Sequence, residues 1–167
     1  HVSSRFNANI PSGVATLQEI RPTNRAPVIK PGGRVEMLQW GLENPRGIKP
    51  LINARSETLA HKKTFVPLLK NRCLVLASAY FEWRKNAQQK IKTRIAPVEQ
   101  DLMAFAGLFD DDGFTIVTCA PSPAIAHIHG RMPVILQHQS EQNWLTETSP
   151  FDEVCHLLTP YPNGTLL

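Results

Sequence analysis

The sequence has few cysteines and no long apolar run. Cys73, Cys119 and Cys155 are widely spaced, which excludes a disulfide framework and a Cys-x-x-Cys metal site. Each lies in an apolar stretch, so we expect three buried free thiols. No window reaches the roughly 18 apolar residues of a membrane span, and the first residues lack the layout of a signal peptide. We therefore expect a soluble, intracellular protein with no membrane partner.

Charge of either sign is also modest. The chain of 167 residues has 18 Lys and Arg against 14 Asp and Glu, a net charge of +4. This balance permits nucleic acid as a partner without requiring it. We find no repeat, no low-complexity tract and no long linker, although the stretch Asn86–Gln100 is polar enough to be an exposed excursion. The length and composition predict one domain over residues 1–167.

The 14 prolines are scattered through the chain, which excludes a bundle of long helices because interior proline breaks a helix. The apolar and alternating runs instead predict six strands. These are Ala26–Ile29, Val35–Leu42, Cys73–Trp83, Leu102–Phe109, Phe114–Cys119 and Met132–Leu136. The Asp-Asp-Asp-Gly sequence at 110–113 predicts a hairpin turn, since Asp and Gly tolerate positive φ.

Helical signals are short. We predict a broken helix from an N-cap at Ser56 to about Asn71 with a break at Pro67, a helix capped by Ser140, and a third over Phe151–Leu158. Successive strands without helices between them argue against a doubly wound parallel sheet. The fold class predicted is therefore α+β, with a largely antiparallel, barrel-like sheet and a few short helices.

Polar residues inside apolar runs are the candidates for chemistry, because burying an unpaired polar group is costly. Asn53 and Arg55 lie two apart, so in extended backbone they face the same side and could hold an anion or a sugar oxygen. The structural alternative is a turn Asn beside an Arg that pairs with Glu57. Glu82 lies between aromatic residues, where desolvation would raise its pKa and suit it to proton transfer. Its alternative is a solvent-facing residue of an edge strand.

Two further features leave alternatives open. His127 and His129 have a metal-type spacing, but no third ligand lies near in sequence, so we expect no metal. Trp40 and Trp83 each end a strand-like run, where they are either core residues or stacking platforms for bases.

Taken in order, several strings resemble one family. The strings are Arg-Pro-Thr at 21–23, Trp-Gly-Leu at 40–42, Leu-Ile-Asn-Ala-Arg-Ser-Glu-Thr at 51–58, Phe-Glu-Trp at 81–83, Phe-Ala-Gly-Leu at 105–108, Thr-Ile-Val-Thr at 115–118 and Ile-His-Gly-Arg-Met-Pro at 128–133. Together they cover nearly the whole chain. The sequence is similar to the SOS-response-associated peptidases, the SRAP family.

The resemblance implies a DNA-damage protein that recognises abasic sites in single-stranded DNA. Family members join an N-terminal cysteine to the ring-opened sugar aldehyde: its α-amine forms a Schiff base and its thiol closes a thiazolidine ring. The peptidase label refers to autoproteolytic removal of the residue before that cysteine, and lyase-like activity belongs to the same chemistry. High effective molarity favours such an intramolecular capture. The resemblance also implies a monomer without a cofactor, in the cytoplasm and nucleoid of a bacterium or the nucleus of a eukaryote.

Roles transfer residue by residue onto the matching positions. Asn53 would position the amine and the aldehyde, Glu82 would assist proton transfer, and His129 would act as acid and base on the sugar hydroxyl. The implied DNA contacts are Arg5, Pro22, Trp40, Arg55, Trp83, Thr118 and Arg131.

The start of the chain departs from the family pattern Met-Cys-Gly-Arg-Phe. It reads His-Val-Ser-Ser-Arg-Phe, so aligning Arg5 and Phe6 places Ser3 at the expected nucleophile. Gln-Glu-Ile-Arg-Pro-Thr at 18–23 also replaces the usual Tyr-Asn-x-Ala-Pro-Thr. We retain three hypotheses: a covalent abasic-site sensor, a relative that binds single-stranded DNA without catalysis, and a β-domain with no nucleic-acid role.

Overall fold

The computed structural model describes residues 5, 6, 8, 19–86, 88–98, 102–162, 165 and 166. The strands are β1 (Arg25–Lys30), β2 (Arg34–Trp40), β3 (Asn53–Arg55), β4 (Arg72–Ala77), β5 (Tyr80–Asn86), β6 (Gln89–Pro97), β7 (Met103–Phe109), β8 (Gly113–Cys119), β9 (Met132–Pro133) and β10 (Thr165–Leu166). Two α-helices lie near the end of the chain, α1 (His138–Leu145) and α2 (Phe151–Val154), and 3-10 turns cover Pro31–Gly33, Ser56–Thr58, Val66–Leu68 and Cys155–Leu157.

The larger sheet closes into a ring. Its strand order is β2-β1-β4-β7-β8, and β8 pairs in turn with β2, so the path returns to its start. Most pairings are antiparallel, while β2 and β3 lie parallel to β8. Every residue of β8 is buried, as expected for a strand with neighbours on both edges and side chains packed on both faces. The predicted α+β class with a mainly antiparallel sheet is confirmed.

Each edge of β8 pairs with two strands, one along its first half and one along its second half. β7 pairs with its first half and β9 with its second half along one edge. Along the other edge, β2 pairs with the first half and β3 with the second. Thr118 consequently lies between Arg55 of β3 and Pro133 of β9, and this arrangement brings distant segments of the chain to one end of β8.

The predicted turn between β7 and β8 is present, but its physical basis differs from the expectation. The Asp110 carboxylate accepts the backbone N–H groups of Asp112 at 2.9 Å and Gly113 at 2.8 Å. None of the described residues at 110–113 has a positive φ. The side chain of the first aspartate therefore stabilises this turn, as in other Asx turns.

The predicted single strand Cys73–Trp83 is wrong, because it contains two strands in different sheets. β4 belongs to the ring and ends at Ala77, whereas β5 begins at Tyr80 and pairs with β6. The polar excursion predicted at Asn86–Gln100 is mainly β6, an exposed strand antiparallel to β5. Small residues at 77–79 allow the chain to leave the ring here, and the apolar run by itself does not mark the break.

The other predicted bounds need smaller corrections. Strand β9 ends at Pro133, after which the chain crosses to β7 through a bridge between Ile135 and Phe105. The broken helix after Ser56 is a pair of 3-10 turns, and no side chain caps the first of them. Helix α1 begins at His138 instead of after Ser140.

One cysteine also departs from the expectation. Cys73 and Cys119 are buried, but Cys155 is exposed. Val154, the last residue of α2, takes the buried position instead. None of the helices in the described ranges is long and apolar enough to cross a bilayer.

The ring closure generates a prediction about Gly113. A Cβ built on Gly113 would come within 2.5 Å of the carbonyl oxygen of Gly41 and 3.0 Å of that of Gln39, both backbone atoms. We expect Gly113→Ala to lower the free energy of unfolding by about 2 kcal/mol through overpacking. Chemical denaturation measures this, with Gly130→Ala as the control because its Cβ would meet nothing within 4 Å. Equal stabilities of the two variants would contradict the tight closure.

Candidate nucleic-acid interface

A cleft of about 1890 Å³ receives side chains from both the ring and the β5–β6 hairpin. It gathers residues that are far apart in sequence. Of the predicted site residues, its lining includes Pro22, Trp40, Asn53, Arg55, Glu82, Trp83, Thr118, His129 and Arg131. The fold thus brings most of the predicted positions into one concave surface, which is the usual form of a binding site.

Strand β3 presents Asn53 and Arg55 to this cleft. Both side chains are exposed while Ala54 between them is 1% exposed, so the predicted alternation is confirmed. The structural alternative for this pair is wrong, because Asn53 lies in a strand and the partner of Glu57 is Arg131. No described carboxylate forms an ion pair with Arg55, which leaves its guanidinium available for an anion.

Glu57 and Thr118 bind the Arg131 guanidinium at the end of β8, and we call this arrangement the clamp. Its Nη1 and Nη2 donate to the two carboxylate oxygens of Glu57 at 2.7 and 2.9 Å. Nη2 also donates to the backbone oxygen of Thr118 at 2.8 Å and to its hydroxyl at 3.1 Å. Bidentate charge-assisted contacts fix the guanidinium plane. Glu57 follows β3 and Arg131 precedes β9, so the clamp joins the segments on opposite edges of β8.

Glu82 faces inward from β5 and meets His129. Its carboxylate Oε1 lies 3.7 Å from Nδ1 of His129, and its side chain is 24% exposed. The flanking aromatics Phe81 and Trp83 are 41% and 53% exposed. The structural alternative for Glu82 is therefore wrong, because the flanking aromatics are the more exposed residues and the carboxylate is partly buried beside His129.

Burial raises the pKa of the Glu82 carboxyl above its ordinary value of 4.5, against the opposing effects of His129 and the Trp83 backbone N–H. The Nδ1 atom of His129 accepts the backbone N–H of Arg131 at 3.1 Å when it is unprotonated, and lies 3.0 Å from the backbone oxygen of Arg131. A protonated Nδ1 would donate to that oxygen and attract Glu82. A carboxyl group and an imidazole are the residue types that most often carry acid–base chemistry.

The two tryptophans have different surroundings. Trp40 is half-buried against the core, and its indole N–H donates to the backbone oxygen of Ile52 at 2.9 Å. It therefore supports the residue before Asn53. Trp83 and Phe81 are exposed and share one face of the hairpin with Lys92 and Arg94, their partners on β6. Exposed aromatics beside cations form the kind of surface on which unpaired bases stack.

Cationic side chains dominate the charge of the cleft. Among the described residues, the Lys and Arg side chains of its lining are Arg21, Arg46, Arg55, Lys62, Lys63, Lys92, Arg94 and Arg131, and the carboxylates are Glu19 and Glu82. Sequence reasoning missed most of these cations. The alternation of Lys90, Lys92 and Arg94 is a period-two signal for one cationic strand face, whereas Arg46 and Lys62 lie in loops without a comparable pattern.

Two residues considered in the sequence analysis do not line the cleft, and a third lies outside the described residues. Arg5 is not among the lining residues, and its guanidinium forms an ion pair with Glu141. Ser3 lies outside the described residues. His127 does not line the cleft, and the described part of the chain contains no group of three or more His, Cys, Asp and Glu residues suited to a metal ion.

None of the described cysteines is suited to act as a nucleophile in this cleft. Burial raises the pKa of Cys119 to about 11 and raises that of Cys73 as well, so both thiols stay protonated at neutral pH. Cys155 is exposed but is not part of the lining.

Fold and cleft define a class of α+β protein in which a cationic, aromatic-edged cleft surrounds a Glu–His pair. The profile of the SOS response associated peptidase (SRAP) family matches residues 2–167. The chain belongs to the SRAP family. It is 40% identical over 147 residues to abasic site processing protein YoaM of Bacillus subtilis, covering 77% of this chain and 64% of the relative.

More distant relatives agree with this assignment. An abasic site processing protein of Saccharomyces cerevisiae is 33% identical over 162 residues, which is 84% of this chain and 44% of that protein. A crystal structure of a protein from Bacteroides thetaiotaomicron matches with a TM-score of 0.81 and 27% identity, covering 96% of this chain and 82% of that one. The chain spans just under two thirds of the length of the Bacillus relative.

The opposite pKa shifts of two carboxyls predict opposite dependences of stability on pH. Because the pKa of Glu82 is raised in the folded state, the folded state binds its proton more tightly. Its stabilising contribution is then complete below 4.5, the ordinary value, and is lost as pH rises through the folded-state pKa. We therefore compare the free energy of unfolding of the parent with that of Glu82→Gln. The difference, parent minus variant, should decrease as pH rises from about 4.5 through the folded-state pKa of Glu82.

Glu57→Gln provides the control of opposite sign. The hydrogen bond from Arg131 lowers the pKa of Glu57, so its contribution is present above 4.5 and is lost as pH falls through the folded-state pKa. Urea titrations at a series of pH values measure both variants. Two difference curves with the same slope would contradict the arrangement.

Proposed function

We propose that this chain binds single-stranded DNA containing an abasic site in the cleft and, where an N-terminal cysteine is present, joins itself covalently to the lesion. One observation carries the proposal: Asn53, Glu82 and His129 lie in a single cleft whose other charges are mostly cationic. Family membership and the names of the relatives, abasic site processing proteins, support it.

The chemistry follows from what an abasic aldehyde offers. An α-amine attacks the C1′ aldehyde, water leaves and a Schiff base forms; the thiol of the same residue then adds to the imine carbon and closes the thiazolidine. The amide of Asn53 orients the reacting groups. Glu82 and His129 supply and remove the protons that these steps require, with the sugar hydroxyl as the partner of His129. Removal of a residue that precedes the cysteine would free the amine.

Two arginines contact the DNA backbone in this proposal, one without an ion-pair partner and one held in the clamp. Arg55 has no described ion-pair partner and binds a phosphate directly. Arg131 presents its clamped guanidinium plane to the same strand, with Thr118 holding it in place. Trp83 stacks on an exposed base, while Pro22 and Trp40 form the wall of the groove. Such contacts position the strand without reading its sequence.

A second candidate function rests on Ser3. A serine at the aligned nucleophile position has no thiol, so the ring-closing step cannot occur there. This favours a protein that binds the same DNA reversibly. We separate the two by incubating the chain, and a Ser3→Cys variant that begins at residue 3, with an abasic oligonucleotide. A heat-stable product from the variant alone would support the covalent site and place its loss at Ser3.

The catalytic roles predict a separation of rate from affinity. In the Ser3→Cys background, we expect Glu82→Gln or His129→Ala to slow crosslinking by about 10²-fold, because one proton-transfer group is lost. Affinity for an unreactive abasic analogue should stay within about twofold. Denaturing gels give the rate and fluorescence anisotropy gives the affinity. Equal loss of both would indicate structural damage and contradict these roles.

The phosphate role of Arg55 predicts a change in salt dependence. Loss of one phosphate contact on a single strand should reduce the slope of log K against log salt by about 0.7. We therefore expect Arg55→Ala to weaken binding with this smaller slope. Arg34→Ala is the matched control, because Arg34 is exposed on β2 and is not part of the cleft lining. Unchanged affinity for Arg55→Ala would favour a β-domain with no nucleic-acid role.

A further inference from the structure

One carboxylate of the cleft joins two separate segments of its lining. Glu19 precedes β1, and its Oε2 accepts Nζ of Lys92 on β6 at 2.6 Å, while its Oε1 lies 3.5 Å from Nε of Arg21. All three residues line the cleft. Glu19 and Arg21 are also two of the residues at which the chain departs from the family pattern. The Lys92 contact lowers the pKa of the Glu19 carboxyl below its ordinary value of 4.5, so this carboxylate is charged at neutral pH.

Lys92 lies on the aromatic face of the β5–β6 hairpin. It is the partner of Trp83 across the two strands, and its Nζ lies 4.4 Å from the centre of the Phe81 ring, a distance at which a ring attracts an ammonium. A base that stacks on either ring brings a phosphate close to this ammonium, since one sugar joins the base and the phosphate of a nucleotide. The position of Lys92 thus suits a phosphate of a strand that stacks on this face.

The contact between Glu19 and Lys92 is weaker than the clamp of Arg131. Glu19 offers one oxygen to the ammonium, and the two side chains are 36% and 34% exposed. Glu57 instead binds the Arg131 guanidinium through both carboxylate oxygens, and Thr118 adds two contacts. Exposed ion pairs stabilise a protein little, whereas bidentate ones are stronger. A phosphate can therefore replace the carboxylate on Lys92 more readily than it can separate the clamp.

The backbone beside Glu19 does not depend on this ion pair. The N–H of Arg21 donates to Oδ1 of Asn24 at 3.0 Å, and the N–H of Asn24 donates to the backbone oxygen of Arg21 at 3.0 Å. The N–H of Thr23 donates to the backbone oxygen of Trp40 at 2.9 Å and so joins this turn to β2. Removing the charge of Glu19 therefore changes the electrostatics of the cleft and leaves the turn in place.

We propose that Lys92 is a phosphate-binding site of the cleft and that Glu19 occupies it in the free protein. A phosphodiester group of a single strand stacked on Phe81 or Trp83 takes the place of the carboxylate. This proposal rests on the proposed function and adds a phosphate site to it. Because Glu19 neutralises Lys92 beforehand, the ammonium contributes to affinity only when a phosphate displaces the carboxylate. Glu19 consequently sets how strongly the cleft attracts a polyanion.

Binding of a short, labelled oligothymidylate without a lesion tests this site on the chain as it exists. Fluorescence anisotropy at several salt concentrations gives the affinity and the slope of log K against log salt. In the parent, the displaced carboxylate takes up a cation and offsets the cation that the phosphate releases. We expect Glu19→Gln to remove this offset and steepen the slope by about 0.7, which near 0.1 M salt amounts to about fivefold in affinity.

Glu36→Gln is the matched control for the change of net charge. Glu36 also pairs with a lysine, Lys30, but lies outside the cleft lining. Its loss should leave the affinity and the slope close to those of the parent. If Glu36→Gln and Glu19→Gln gave the same gain, the effect would belong to net charge and the proposal would fail.

Removal of Lys92 shows whether the gain belongs to this site. In a Lys92→Met background, Glu19→Gln should no longer steepen the slope, because no ammonium is left for the phosphate. A steepening that persists there in full would overturn the proposal. A lower affinity of Glu19→Gln with Lys92 intact would overturn it as well, since the ion pair would then support the shape of the cleft instead of competing with DNA.

The same titrations separate this proposal from the proposed function. If the parent binds the oligonucleotide, Arg55→Ala weakens binding and Glu19→Gln behaves as Glu36→Gln does, the proposed function stands and the phosphate site at Lys92 fails. If neither the parent nor any variant binds, the proposed function fails and the Lys92 site fails with it.

Discussion

Strand β8 is the constraint on which the candidate site depends. Its seven residues are buried, and each edge pairs with two strands in succession. A strand of only three residues such as β3 is too short to be stable alone, so its placement comes from its parallel pairing with β8. Asn53 and Arg55 are consequently held on one edge, and the segment of His129 and Arg131 leads into β9 on the other. The strand that closes the ring is therefore also the strand that brings the site residues together.

Ion pairing divides the cations of the cleft into two groups. Arg131 and Lys92 are bound to Glu57 and Glu19, so their positions are set before a ligand arrives and less side-chain entropy is lost on binding. Arg55 has no described ion-pair partner and keeps its full charge. A cleft with only free cations would bind polyanions strongly but place them loosely. Cations that are held by a carboxylate partner offer an anion a fixed geometry instead.

Sequence reasoning predicted the features that have local causes. Period-two alternation placed Asn53 and Arg55 on one face, and the apolar runs located most of the ring. It failed where long-range geometry decides the outcome. Glu57 is two residues from Arg55 and 74 from Arg131, yet pairs with the distant one, because β8 brings the segments of β3 and β9 together. Likewise, the continuous apolar run Cys73–Trp83 hides a change of sheet, and Arg5 has a partner on α1 that no motif specifies.

The orientation of β5 gives neighbouring residues of one short string opposite surroundings. Because neighbouring residues of a strand face opposite sides, turning Glu82 inward to His129 necessarily turns Phe81 and Trp83 outward. The carboxylate then becomes partly desolvated, which raises its pKa, and the aromatics become accessible to unpaired bases. Neither property would survive a one-residue shift in register, since that would expose the carboxylate and bury the rings. The pairing of β5 with β6 therefore sets both the partial burial of Glu82 and the exposure of the two rings.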